Sequence, residues 1–198
     1  MLSLFRMPKE NTSEAELKKK KKKWKPIFSG KEFNEKEIGE TFVEDSEKAV
    51  GKTIAVNLTT MTGDPKKQNF NITFKIVDAK DNRLNASITG YFLQVAQKKR
   101  LSRKDKDKLE DSFVYKTKDG IDIAIKPVFI TKSLTYHSKH TLIRHESRKI
   151  LSEIAKNTAF TPLMKSIIEG NLQKDMKSQL KKVYPINTIL IKAALINN

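Results

Sequence analysis

Apolar residues in this chain change their spacing once, and that change limits the folds open to it. Up to about residue 130 they alternate with polar ones: Ile54, Val56 and Leu58, then Phe70, Ile72, Phe74 and Ile76, then Leu84, Ala86 and Ile88. A period of two marks half-buried strands, and it predicts strands over about 51–60, 69–77 and 83–90. Thr62-Gly63-Asp64-Pro65 and the Asp-, Lys- and Asn-rich stretch 78–82 read as the turns between them. Residues 113–116 and 121–130 flank Lys118-Asp119-Gly120, a strong hairpin signal. Pro127 has no N–H for a ladder, so its position should lie at an edge or a bulge.

From residue 140 the spacing becomes three and four. Ile143, Ile150 and Ile154 share one face at about 100° per residue, which predicts a helix over 140–156. Thr161-Pro162 reads as an N-cap followed by proline at the first helical position. Leu163, Ile167 and Ile168 open an apolar stripe that Leu172, Met176, Leu180 and Val183 continue, with Gly170 dividing it into two helices. Tyr184-Pro185 stops the second, and 186–195 reads as a last strand. Strands, then helices, then a returning strand give an α+β fold: a mostly antiparallel β-barrel-like body with C-terminal helices and a returning final strand.

Charge separates a second kind of segment from this scaffold. The 198 residues hold 40 Lys+Arg against 23 Asp+Glu, a formal charge of +17. Residues 1–26 carry +6, 96–108 carry +5 and 132–149 carry +4, whereas the strand-rich stretches 27–95 and 109–131 each carry −1. So strong an excess serves a polyanion, with nucleic acid the first candidate and an anionic membrane surface the second. Lys18, Lys19, Lys20, Lys21, Lys22 and Lys23 are consecutive and lead into Trp24 and Lys25. Like charges so close resist compaction, so 1–26 reads as a disordered basic N-terminal tail on a single domain, 27–198, and as an arm that orders on phosphate. Trp24 either anchors this tail or stacks on a base. The second window, with Lys98, Lys99, Arg100, Arg103 and Lys104, reads as an exposed loop or polar helix. The third supplies Lys132, His137, Lys139, His140, Arg144, Arg148 and Lys149, of which His140, Arg144 and Arg148 recur every four residues as a basic ridge. Four of the six arginines fall in the last two windows, and guanidinium grips phosphate bidentately.

Catalytic signals are few. There is no P-loop, dinucleotide glycine pattern, Gly-x-Ser-x-Gly or His-Glu-x-x-His. Cysteine is absent, which excludes disulfides, thiol catalysis and cysteine-ligated zinc and suits a reducing compartment. His137, His140 and His145 are the only histidines, but on a helix they diverge, and the neighbouring cations oppose a metal. Asp78, Asp81, Glu110, Asp111, Asp119 and Asp122 lie mostly in turns, where carboxylates are structural. No apolar run nears the roughly 18 residues of a membrane span, and the N-terminus is charged too early for a signal peptide. The expectation is a cytoplasmic protein that is not an enzyme, with no cofactor, no metal, no membrane partner and no small-molecule substrate.

Several short motifs, in order, resemble one family. Lys-Lys-Trp at 22–24, Phe33, Ile38-Gly39-Glu40-Thr41, Val50-Gly51-Lys52-Thr53, Thr62-Gly63-Asp64, Thr117-Lys118-Asp119-Gly120, Arg148-Lys149-Ile150 with Glu153-Ile154, and Val183-Tyr184-Pro185-Ile186 are similar to signatures of the archaeal and eukaryotic small-ribosomal-subunit family S-three-a-e, or e-S-one. The resemblance implies a structural protein on the platform of the small subunit, near the mRNA exit. It would bind ribosomal RNA and neighbouring small-subunit proteins through a β-barrel-like body with packed helices. The closing stretch Ile191-Lys192-Ala193-Ala194-Leu195 lacks the family's usual Arg-Lys pair, which limits RNA contact there to Lys192. Asn198 follows soon after, as in a short, archaeal-type member. The alternative with the same charge logic is a free RNA-binding or RNA-chaperone-like factor.

Overall fold

Strand β1 (Lys23–Ser29) and strand β2 (Glu37–Val43) open the chain as an antiparallel pair in a computed structural model that describes residues 21–30, 33, 35–80, 83–101 and 104–197. Neither strand is visible in the apolar spacing. Lys23, Trp24 and Lys25, which charge alone assigns to a disordered tail, are strand residues, so the folded body begins before residue 27.

Strand β3 (Thr53–Asn57) ends earlier than its alternation suggests. The Asn57 side chain accepts a hydrogen bond from the Thr59 N–H at 2.9 Å and caps a short helix, α1 (Leu58–Thr62), so Leu58 enters the core from a helix. Strand β4 (Phe70–Lys80) and strand β5 (Arg83–Leu93) form a long antiparallel hairpin. Then follow α2 (Val95–Arg100), β6 (Lys108–Glu110), β7 (Phe113–Lys116) and β8 (Asp122–Thr131). Helices α3 (His137–Asn157), α4 (Phe160–Glu169) and α5 (Asn171–Leu180) precede the returning strand β9 (Ile186–Ile196).

The nine strands make one sheet in the order β2-β1-β5-β9-β8-β6, with β3 and β4 on the far edge of β5 and β7 beside β6 on β8. Two long strands organise it by sharing an edge between two partners. One edge of β5 pairs with β1 through Leu84–Ala86 and with β9 through Gly90–Phe92. One edge of β8 pairs with β7 through Asp122–Ile125 and with β6 through Val128–Ile130. The β1–β5 ladder is parallel and the rest are antiparallel. Among the described residues no ladder joins β2 to β6, so the barrel-like body is an open sheet. Pro127 falls where its missing N–H costs least: between the β7 and β6 ladders on one edge, and at a register shift in the β8–β9 ladder on the other. At Gly90 a Cβ would lie 2.5 Å from Leu195 Cδ2, so a side chain there would require the Leu195 side chain on β9 to move.

The helices cover one face of the sheet. Eight side chains of α4 and α5 are buried, from Phe160 and Leu163 to Met176 and Leu180. At about 1.5–3 kcal/mol per large side chain, this burial outweighs a cap worth about 1 kcal/mol. Helix α4 accordingly starts at Phe160 behind Ala159, ahead of the predicted Thr161-Pro162 cap. Its free first N–H is met from a distance: Phe160 N donates to Asp119 Oδ2 in the β7–β8 turn at 2.9 Å. Gly170, at φ +85°, ends α4 and lets α5 begin at Asn171, as the sequence predicts.

Candidate nucleic-acid interface

The three basic windows meet different fates on this scaffold. Lys18, Lys19 and Lys20 lie outside the described residues, as does Arg103. Lys21, Lys22 and Lys23 are exposed, but Lys25 points inward with Ile27 and Ser29 and is 7% exposed. Its ammonium donates to Ser46 Oγ, so Lys25 supports the fold and offers no charge to a phosphate. Trp24 projects from the opposite face of β1. It is 65% exposed and lies 5.1 Å, centroid to centroid, from its cross-strand neighbour Phe42, which is itself exposed. Phe42 also lines a shallow pocket with Lys22, Lys52 and the Lys48–Glu44 ion pair.

Helix α2 carries the second window. Lys98, Lys99 and Arg100 occupy its last turn, where the helix dipole favours cations. Lys99, Arg100 and Lys104 are exposed and Lys98 is half-buried. Among the described residues none of the four is in a salt bridge. Lys99, Arg100 and Lys104 thus present their charge to solvent.

Helix α3 carries the third window, and here the expected ridge is turned onto the sheet. His140 Nε2 lies 3.1 Å from Asp107 Oδ2, and the same oxygen accepts the Thr135 N–H at 2.7 Å. Arg144 Nε lies 3.2 Å from Asp111 Oδ1. The Arg148 guanidinium sits 5.9 Å from the Phe113 ring centroid, and its backbone carbonyl accepts the Tyr115 hydroxyl at 3.1 Å. Burial pushes the Asp111 carboxyl up, against the pull of Arg144, and its Oδ2 has no hydrogen-bond partner among the described residues. Burial likewise pushes the Tyr115 phenol up to about 12. Glu110 extends the same acidic edge. It binds the ammonium groups of Lys108 and Lys192, which hold its carboxyl below the usual range. Lys192, the one cation expected to touch RNA from the last strand, is therefore engaged within the protein. Lys149 bonds to Glu146 at 3.2 Å.

Arg144 and Arg148 stay exposed despite these contacts, and Lys132, His137 and Lys139 are exposed beside them. A groove of about 620 Å³ between α3 and β7 is lined along α3 by His145, Arg148, Lys149 and Lys156, with Glu153 the one carboxylate among its lining residues. His145 lies within the third window, where its imidazole is expected to face solvent or RNA, whereas Lys156 lies beyond it. The rings of His137 and His140 are 6.0 Å apart and edge-to-face. Among the described residues no three His, Asp or Glu side chains converge as a metal site. No helix among them is long and apolar enough to cross a membrane.

Comparison with known proteins gives a consistent result. Residues 11–197 match the Ribosomal S3Ae family. The small ribosomal subunit protein eS1 of Nanoarchaeum equitans is 30% identical over 166 residues, covering 84% of each chain. The eS1 proteins of Methanobrevibacter smithii and Sulfurisphaera tokodaii are 27% and 29% identical, over 90% and 87% of this chain and 93% and 90% of their own.

Proposed function

Because the chain belongs to the Ribosomal S3Ae family, a family of structural and non-enzymatic ribosomal proteins, we propose that it is a component of the small ribosomal subunit in the cytoplasm. In this reading it sits on the platform near the mRNA exit and is held to ribosomal RNA and neighbouring small-subunit proteins at several separate points. The observation that carries the RNA contact is the unpaired cationic row of α2. A row of charge with no internal carboxylate gains by displacing counterions from phosphates, each contact adding about 0.7–0.9 to the salt dependence of binding. The exposed Lys132, His137 and Lys139 and the α3–β7 groove supply further points. At these points the contacts are to phosphate, so they position the chain on the RNA backbone and shape.

Sedimentation tests this reading. The tagged chain in its own cell extract should travel with small subunits through a sucrose gradient at low salt and leave them as salt rises. A chain that stays at the top of the low-salt gradient while still binding RNA would be a free RNA-binding or chaperone-like factor.

A further inference from the structure

The end of α2, the turn Pro65–Lys67 before β4, and the start of β9 enclose a groove of about 530 Å³. This lies within the ordinary range for small-ligand sites, roughly 300–1,000 Å³. Its charged lining is one-sided: Lys66, Arg100 and Lys106, with no carboxylate. Its floor is apolar. Leu101 and Ile130 belong to a small second core cluster, and Phe70 and Leu190 pack against that cluster without being fully buried. Phe70 is itself stacked on Tyr91 at 5.4 Å and 18°, which fixes its ring plane. Between floor and rim lie the side-chain amides of Asn69, Gln97 and Asn187, which form no hydrogen bond among the described residues.

A flat apolar surface, a cationic rim and spare amides suit one class of ligand. An unpaired nucleotide offers a base to lie on Phe70 and Leu101, ring edges to meet the amides, and phosphates for Lys66, Arg100 and Lys106. A duplex cannot enter, since its bases are already stacked and paired. An acidic peptide would satisfy the rim alone, and a protein surface would not require three free cations around an apolar slot. We propose that this groove seats a base of single-stranded RNA. The inference rests on the RNA-bound role above and adds the kind of RNA and its seat. Sequence reasoning could not assemble the groove, because Lys66 lies in a near-neutral stretch and its companions come from three distant segments.

The test uses the full chain and a 12-nucleotide RNA strand carrying one 4-thiouridine, alone and annealed to its complement, with polyglutamate as competitor. The single strand should bind at least about tenfold more tightly than the duplex, and polyglutamate should displace it poorly. Photo-crosslinks should map to 66–70, 97–101 or 187–190. Asn69→Leu together with Asn187→Leu, which removes amides of the groove and leaves the charge of α2 unaltered, should weaken single-strand binding about tenfold and leave duplex binding unchanged. Replacing Lys66, Arg100 and Lys106 together by alanine should lower the single-strand salt slope by about 2. Equal binding of strand and duplex, crosslinks confined to other segments, or equal displacement by polyglutamate would overturn the groove and leave the ribosomal role standing. Binding of neither RNA form would overturn the RNA-bound role itself.

Discussion

Two basic segments of equal promise in sequence play opposite parts in the fold. On α2, Lys99 and Arg100 face solvent and Lys98 is half-buried, with no salt bridge among the described residues, whereas on α3 His140 and Arg144 are tied to Asp107 and Asp111 and the exposed Arg148 lies against Phe113. The difference lies in what the sheet places opposite each helix. The β6 edge brings Asp107, Glu110 and Asp111 together, and these recruit cations as struts between helix, loop and strand. Among the described residues no carboxylate is in a salt bridge with a cation of α2. A count of lysines and arginines therefore overstates the charge available to a partner, and the position of the carboxylates decides which cations remain free.

Reversing the α2 row in Lys98→Glu, Lys99→Glu and Arg100→Glu should have the largest effect on binding. Affinity for small-subunit RNA should fall about a hundredfold or more while the thermal midpoint falls by no more than about 6 °C, since three surface substitutions at about 0.5 kcal/mol each shift a chain of this size by about 2–4 °C per kcal/mol. A larger fall in the midpoint would make α2 a strut as well. Arg144→Glu should show the converse. It sets a carboxylate against Asp111, whose charge burial already disfavours, and should cost about 1–2 kcal/mol in denaturant unfolding, discounted because Arg144 is 44% exposed. RNA affinity should change little. If unfolding were unaffected and binding lost, the ridge would be an RNA surface after all.

Glu110→Gln should have the smallest effect. Its carboxyl is held below the ordinary 4.5 by hydrogen bonds from Lys108 and Lys192. A depressed folded value means stability that is present above about 4.5 and lost as pH falls through the folded value. The variant should lose less than about 1 kcal/mol at pH 7, given partial exposure, and match the parent protein once the carboxyl is protonated. A difference that persisted at low pH would assign the effect to packing.

Much of the fold was legible because it is locally encoded. The β7–β8 hairpin follows from Lys118-Asp119-Gly120, where Gly120 takes φ +79°. The α4–α5 break follows from Gly170, and the Pro127 irregularity from its missing N–H. Strands β1 and β2 were hidden because β1 sits among lysines and is held by pairing to Leu84–Ala86, more than fifty residues away. The candidate interface was half legible. The free α2 row follows from its sequence, but the fate of Arg144 depends on Asp111, 33 residues earlier and on another element, and Lys25 is withdrawn by Ser46. Side-chain partners set by tertiary contact leave no local signal.

The most direct test of this division of labour is the slope of log affinity against log salt for small-subunit RNA. It should be compared between Lys98→Ala with Lys99→Ala and Arg100→Ala, and Arg144→Ala, whose guanidinium is held by Asp111. The first set should lower the slope by about 2, three contacts at about 0.7 each, while the second leaves it unchanged. A slope that falls with Arg144→Ala and holds with the α2 set would contradict the account.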